Sequence, residues 1–278
     1  MTSIPRLLAI DIDGTLLDST HHLPERNRAA LRRAHEAGIE VVLVTGRRHA
    51  FALPVARELG DGTTLISSNG AVTASLAGEI FYCDLLPART ARGMCAHMDA
   101  FRSNLVFTFR GEGPGTMAME HDREIGLSVR GWIEKNKDAI AFVRPIESAL
   151  TRDPIQGMFC GTVERMRGAE ERLRSWAGIA GITLLKTHYP HRDLSILDLL
   201  NCGCSKGHAL ERWAKVRGIE AREVVAIGDN YNDIEMLNFA GRAFIMENAC
   251  ADLKQNGWIL APSNDECGVA AAIEQILA

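Results

Sequence analysis

Leu7-Leu8-Ala9-Ile10-Asp11-Ile12-Asp13-Gly14-Thr15-Leu16 is the stretch that decides the fold. Its short, unbroken apolar run reads as a strand buried on both faces, as in a parallel sheet. Two carboxylates, Asp11 and Asp13, stand two residues apart where that strand should end. Side chains at i and i+2 of an extended segment point to one side, so both acids are expected to enter one small space. Gly14 then permits a sharp turn away from them. Paired acids at the end of a buried strand suit a divalent metal, a phosphoryl group, or both. Alone, a D-x-D pattern describes a solvated loop equally well, so the rest of the chain must decide.

Similar apolar runs recur, each ending in a polar or glycine cluster. Val41 to Val44 precedes Thr45-Gly46, Leu65-Ile66 precedes Ser67-Ser68-Asn69-Gly70, and Val224 to Ile227 precedes Gly228-Asp229. Ala243 to Met246 precedes Glu247-Asn248. Helical patterns lie between them at Pro24 to Ala37, Lys206 to Arg217, Ile234 to Ala240 and Val269 to Leu277. Several of these stop at a glycine, as helices commonly do. Alternating strands and helices predict an α/β fold with a doubly wound, mostly parallel sheet. Such sheets bind ligands beyond the carboxyl ends of their strands, where every one of these polar clusters falls.

The middle of the chain reads differently. Pro87 to Arg102 is an amphipathic helix, followed by strand-like runs at Leu105 to Phe109, Ile155 to Cys160 and Ile182 to Lys186, with a helix over Val163 to Trp176. None of these runs ends in a D-x-D or Gly-Asp cluster. Residues 85–190 are therefore expected to form an inserted α+β domain, and 1–84 with 191–278 one outer domain.

The 278 residues, 46% hydrophobic and 24% charged, are ordinary for a globular protein. A net charge of −4 argues against nucleic acid or an anionic membrane as partner. Seven scattered cysteines, an odd number, predict reduced thiols and a cytoplasmic protein. Cys202 and Cys204 lack the second pair that a zinc site needs. No signal peptide is expected, because Asp11 interrupts the first apolar run, and no run approaches the ~18 apolar residues of a membrane span.

Four clusters can share one site. Asp11 and Asp13 form the first. Thr45-Gly46-Arg47 supplies a hydroxyl and backbone amides suited to phosphate oxygens. Lys206 begins a helix, where a cation can neutralise a phosphate. In Gly228-Asp229-Asn230-Tyr231-Asn232-Asp233, a helix starting near Asn230 would put Asp229, Asn232 and Asp233 on one face. Taken singly, these are a turn, a solvated lysine and a helix N-cap. Their joint occurrence in this order is hard to attribute to accident. Arg47 contacts substrate or merely begins a helix, and Asn69 lines the site or merely turns the chain.

With these motifs in order, the chain resembles the haloacid dehalogenase-like (HAD) phosphatases of the Cof type, which carry a large cap. The resemblance extends to Ser68-Asn69-Gly70-Ala71 and Ser263-Asn264-Asp265-Glu266-Cys267-Gly268-Val269, and covers residues 4 to about 83 and 194 to 278. Glu247 and Cys267 depart from the family, which often has Gly and an acid there.

The resemblance implies a Mg²⁺-dependent phosphatase acting on small phosphorylated metabolites. Asp11 would be the nucleophile that forms an aspartyl-phosphate. Asp13 would be the general acid and then the base. Mg²⁺ would be held by Asp11, the backbone carbonyl of Asp13, Asp229 and waters. Thr45, Gly46, Lys206 and Asn232 would hold phosphoryl oxygens. Asp233 would orient Lys206 or a water from behind. The alternatives are a phosphomutase or phosphotransferase of the same superfamily and an aspartate-phosphorylated signalling receiver. The receiver is disfavoured by chain length, by the second acid at Asp13 and by the insertion.

Overall fold

The computed structural model describes residues 4–60, 62–122 and 127–278. In chain order, the first stretch forms β1 (Leu7–Ile10), α1 (Glu25–Glu36), β2 (Glu40–Val44), α2 (His49–Arg57), β3 (Thr64–Ser67), β4 (Val72–Ser75) and β5 (Ile80–Cys83). The middle forms α3 (Ala88–His97), β6 (Leu105–Thr108), β7 (Met117–Met119), α4 (Leu127–Asn136), β8 (Ile140–Phe142), β9 (Gln156–Gly161), α5 (Val163–Ala180), β10 (Ile182–Tyr189) and β11 (Leu194–Asn201). The last stretch forms α6 (Lys206–Val216), β12 (Val224–Gly228), α7 (Ile234–Phe239), β13 (Arg242–Met246), β14 (Ile259–Ala261) and α8 (Gly268–Leu277). The chain folds as two compact units. One is the chain up to Cys83 together with the chain from Ser205 on, and the other is Asp84–Cys204.

The first unit carries a sheet of order β14-β13-β12-β1-β2-β3-β4-β5. Pairing is parallel from β14 through β3 and antiparallel in the β3-β4-β5 meander. Alternation along β1 shows why the sheet is covered on both sides. Leu8 and Ile10 pack with Ala30 and Leu31 of α1, Ala52 of α2 and Ile273 of α8. Leu7 and Ala9 pack with Leu210 and Trp213 of α6 and with Met236 of α7. Each such fully buried aliphatic side chain contributes roughly 1.5–3 kcal/mol. The fold is therefore the doubly wound α/β sheet that the apolar runs imply. The β4–β5 hairpin was not anticipated; its Ile80 and Phe81 are exposed, so no buried run marks it.

In the second unit the sheet order is β10-β11-β9-β6-β7-β8, antiparallel apart from β7 with β8. One face packs Phe107, Phe159, Leu197 and Leu199 against Ala91, Met94 and Cys95 of α3 and Met166 and Leu173 of α5. The expected return to the core at residue 191 is corrected to Ser205. β11 pairs along its whole length with β10 and over five residues with β9, so it belongs to the second sheet. The helix expected from Pro87 to Arg102 stops at His97 and continues as a 3₁₀ turn over Asp99–Asn104.

β1 lies between β12 and β2, with β3 beyond β2. The carboxyl ends of these four neighbours carry Asp11, Thr45, Ser68-Asn69 and Asp229. Backbone bonds from Asp11 N to Ile227 O (3.0 Å) and from Thr45 N to Ile66 O (2.8 Å) extend the pairing to these residues. Gly70, at φ +101°, lets the β3–β4 turn meet the start of α6. A Cβ there would lie 2.2 Å from the Ser205 carbonyl oxygen, so only glycine permits this approach. Among the described residues, no helix is long and apolar enough to cross a membrane.

Candidate active site

Asp11 follows β1 directly and is almost wholly buried. Lys206 reaches it from the first turn of α6. Its Nζ donates to Asp11 Oδ1 at 2.6 Å and to Asp233 Oδ1 at 2.6 Å, and the lysine is 1% exposed. Ser205 caps that helix by accepting from His208 N, which fixes where the lysine starts. Asp233 Oδ2 accepts from the backbone N–H of Asp229 and of Asn230, both at 3.0 Å. One carboxylate thus holds both the lysine and the loop that carries Asp229. Asn230 is the N-cap of a 3₁₀ turn over Tyr231–Asp233, with α7 starting only at Ile234. The expected helix from Asn230 is therefore a tighter turn, and Asp233 occupies the N3 position of a capping box.

Asp229 is buried, and its Oδ1 accepts from Thr15 Oγ1 at 2.9 Å. Asp11, Asp229 and Asp233 bring carboxylate oxygens within 4.8 Å of one another. Three buried carboxyls face one ammonium, so full ionisation of the pocket would leave two negative charges uncompensated. Burial pushes the Asp11 carboxyl up to about 7, against the pull of Lys206 and with help from Asp233. Burial, then the charges of Asp11 and Asp233, hold Asp229 well above the usual carboxylate range. Burial alone would lower Lys206, but Asp11 and Asp233 outweigh it and keep the amine protonated. A divalent cation fits this pocket on two counts: it supplies the missing charge, and its donors would be hard oxygens.

The Asp13 carboxylate is held by a different partner. β1 ends at Ile10, so Asp13 lies in the following turn and the i, i+2 rule of an extended strand does not hold there. Its carboxylate is gripped by Arg47, Nε to Oδ2 and Nη2 to Oδ1, both at 2.6 Å. Burial acts to raise this carboxyl, but Arg47 and then His21 outweigh it and hold it well below the usual range. Asp13 remains close enough that its charge helps to raise Asp11.

Thr45 and Gly46 lie at the end of β2. Thr45 is buried, and its Oγ1 accepts from Arg47 N at 3.1 Å. Arg47 precedes α2, which starts at His49, so it does not begin a helix. Asn69 turns the chain at φ +53° and touches a candidate site residue, its Oδ1 accepting from Asn232 Nδ2 at 2.9 Å. A Cβ at Gly46 would come within 3.1 Å of that same Oδ1.

Three contributors were not foreseen. The Arg47–Asp13 fork joins two loops 34 residues apart. Thr15, inside the D-x-D-G-T run, steadies Asp229. Asn248 Nδ2 donates to Gly14 O at 2.8 Å and Asn248 Oδ1 accepts from Asn264 N at 3.0 Å, tying the last loops to the first. Thr15 carried a signal in its place beside the acids, and Asn248 in its polar cluster after Ala243 to Met246.

A family model described as haloacid dehalogenase-like hydrolase matches residues 8–273. The chain is 30% identical to "Phosphatase YwpJ" of Bacillus subtilis, over 98% of this chain and all of that protein. It is also 30% identical to an "HMP-PP phosphatase" of Shigella flexneri, over 90% of this chain and 86% of the relative. A solved haloacid dehalogenase-like hydrolase from Bacteroides thetaiotaomicron superposes with a TM-score of 0.78 at 28% identity, covering 98% and 99% of the two chains. With a family model spanning nearly the whole chain, and with the acids, threonine and lysine of its motifs gathered at one end of the sheet, this chain belongs to the haloacid dehalogenase-like hydrolase family.

Proposed function

We propose that this protein hydrolyses phosphate monoesters of small metabolites through an aspartyl-phosphate on Asp11. The observation that carries the proposal is Lys206, buried and bridging Asp11 and Asp233 within a group of three acids. That arrangement pulls Asp11 back toward its ionised form against burial and supplies positive charge where a phosphate dianion must approach a carboxylate. Phosphate ester hydrolysis is extremely slow unaided, so neutralising and aligning charge is the main task of such a site.

In this mechanism Asp11 attacks phosphorus, and the ester oxygen leaves. Asp13 gives that oxygen its proton and later takes one from the water that hydrolyses the aspartyl-phosphate. The Arg47 fork occupies both oxygens of Asp13 and holds it ionised, so Arg47 must turn aside and Asp13 must take up a proton from solvent before it can serve the leaving oxygen. A phosphate dianion is a natural competitor for that guanidinium. Thr45 Oγ1, the Gly46 N–H, Lys206 Nζ and Asn232 Nδ2 are the donors for phosphoryl oxygens. Asn69 aims Asn232. Asp11, Asp229 and the Asp13 backbone carbonyl are the ligands for Mg²⁺, which when bound would screen charge between nucleophile and phosphate. Asp233 is given a supporting role rather than a ligand's, because one of its oxygens holds Lys206 and the other the Asp229-Asn230 amides.

Among the relatives, the names HMP-PP phosphatase and 5-amino-6-(5-phospho-D-ribitylamino)uracil phosphatase support a small phosphorylated metabolite as substrate. The test is phosphate release from a panel of sugar phosphates, glycerol 3-phosphate, nucleoside monophosphates and phosphorylated cofactor precursors, with Mg²⁺ or excess EDTA. Metal-dependent release that Asp11→Asn abolishes, in a variant that still folds, is the expected result. Release unaffected by Asp11→Asn would refute the mechanism. A phosphoenzyme that forms but yields no phosphate without an added alcohol would favour phosphoryl transfer instead.

A further inference from the structure

The mechanism above leaves unused one side chain beside Asp13. His21, in the loop after β1, has φ +64°, a left-handed conformation that is strained for a residue other than glycine. The loop is built to hold it there. Asp18 Oδ1 accepts from Thr20 N at 2.9 Å, Thr20 Oγ1 at 2.7 Å and His22 N at 2.9 Å. Backbone bonds from Asp18 N to His22 O and from His21 N to Asp18 O close the turn. Asp265 Oδ1 accepts from Ser19 N at 2.8 Å and anchors the loop to the chain near α8.

What the strain secures is placement. His21 Nδ1 stands 3.6 Å from Asp13 Oδ1, with the imidazole half exposed. Arg47 approaches the same carboxylate from the β2–α2 loop. Two basic side chains on separate elements therefore converge on the one carboxylate that must aim at the leaving oxygen. When Arg47 turns aside, His21 is the basic group still facing Oδ1. Glycine or asparagine would hold the same backbone with less strain, but neither would place a ring nitrogen there.

We infer that His21 is a positioning residue for Asp13, holding its carboxylate in line for the leaving-group oxygen. This rests on the phosphatase reading and on the role given there to Asp13. The effect should depend on the leaving group. A sugar alkoxide needs a proton to leave, whereas p-nitrophenolate does not. The experiment measures kcat/KM, which reports the first chemical step, for p-nitrophenyl phosphate and for the sugar phosphate of the panel that the wild type turns over fastest. His21→Gly and His21→Asn both keep the left-handed turn available, and His22→Asn serves as the control within the same loop.

The expected result is a fall of about tenfold on the sugar phosphate for both His21 variants, a fraction of the full general-acid effect. On p-nitrophenyl phosphate the change should stay below about threefold. His22→Asn should match the wild type on both, and His21→Gly should melt no lower than the wild type, since glycine relieves the strain. Equal losses on both substrates would mean a structural role for the loop and overturn the inference, as would no loss on either. A wild type that releases phosphate from neither substrate with Mg²⁺ would overturn the phosphatase reading itself, before any variant is compared.

Discussion

Asp229→Asn should make the metal-free protein more stable while removing its response to Mg²⁺. Asp11, Asp229 and Asp233 offer oxygens within 4.8 Å of one another, and at an effective dielectric near 20 each like-charged pair at that distance costs about 3.5 kcal/mol. Asp229 takes part in two such pairs, and Lys206 returns only part of the cost. Proton uptake sets a ceiling. Keeping a carboxyl of ordinary pKa 3.8 neutral at pH 7 costs about 4 kcal/mol relative to the unfolded chain. Asparagine avoids that cost and can still accept from Thr15 Oγ1. A gain of about 2–4 kcal/mol is expected at pH 7, or a melting midpoint raised by about 4 °C or more.

The sign with pH follows from the direction of the shift. Asp229 and Asp11 have folded-state pKa values above their unfolded ones. Their contribution is fully present below about pH 4 and is lost as pH rises, for Asp11 until about 7. The advantage of the variant should therefore shrink by more than half at pH 5. Mg²⁺ at a hundred times its Kd should raise the wild type by about 2.7 kcal/mol and the variant hardly at all. Thermal melts at pH 5 and pH 7, with Mg²⁺ and with EDTA, measure all four quantities. A variant that melts below the wild type in EDTA, or that keeps the full Mg²⁺ shift, would refute the charge argument and the ligand assignment together.

Lys206→Met should remove activity and, because it strands buried carboxylates without their counter-charge, destabilise the protein by about 3–5 kcal/mol; urea titration with Mg²⁺ absent is the measurement. Arg47→Lys keeps the charge but loses the planar fork that a phosphoryl group would take over from Asp13. Its kcat/KM on the best substrate should fall about tenfold or more, with the melting midpoint nearly unchanged. Gly14→Ala places a Cβ 2.4 Å from Asp229 Oδ2 at φ +82°. It should abolish the Mg²⁺-induced shift in melting, although residue 14 is not itself a proposed ligand.

The sheet was legible because its strands are buried on both faces and so read as unbroken apolar runs, as Leu7–Ile10 and Val224–Gly228 do. Where a strand is exposed or mixed the signal vanished. Ile80–Cys83 lies at the sheet edge, and Leu194–Asn201 carries Ser195 and Asp198 among its leucines, so the second crossing between units was placed too early. The site residues were legible as residue types at strand ends, because chemistry demands carboxylates, a threonine and a lysine there. The direction in which each side chain points was less legible. Asp13 lies near enough to Asp11 for its charge to be felt there, but nothing in the D-x-D spacing shows that its carboxylate pairs with Arg47. Such pairings depend on how loops distant in sequence meet, and spacing along one strand carries no information about that.

Asp233 shows how few residues the arrangement needs. A buried lysine is worth little to a phosphate site unless its ammonium is held still, and a ligand such as Asp229 is worth little unless its loop is fixed. Asp233 meets both needs with one carboxylate, Oδ1 to Lys206 and Oδ2 to the Asp229 and Asn230 amides. Its backbone is set in turn by the capping box with Asn230. The close packing extends to Gly228, where a Cβ would meet the Asp233 side chain at 2.7 Å. Displacing Asp233 therefore moves the lysine and the Asp229 loop together. Proximity alone would group it with Asp11 and Asp229 as a third ligand. Its occupied oxygens argue that it serves the metal only through its neighbours, so Asp233→Asn should weaken Mg²⁺ binding less than Asp229→Asn does, while costing as much activity as a displaced lysine would.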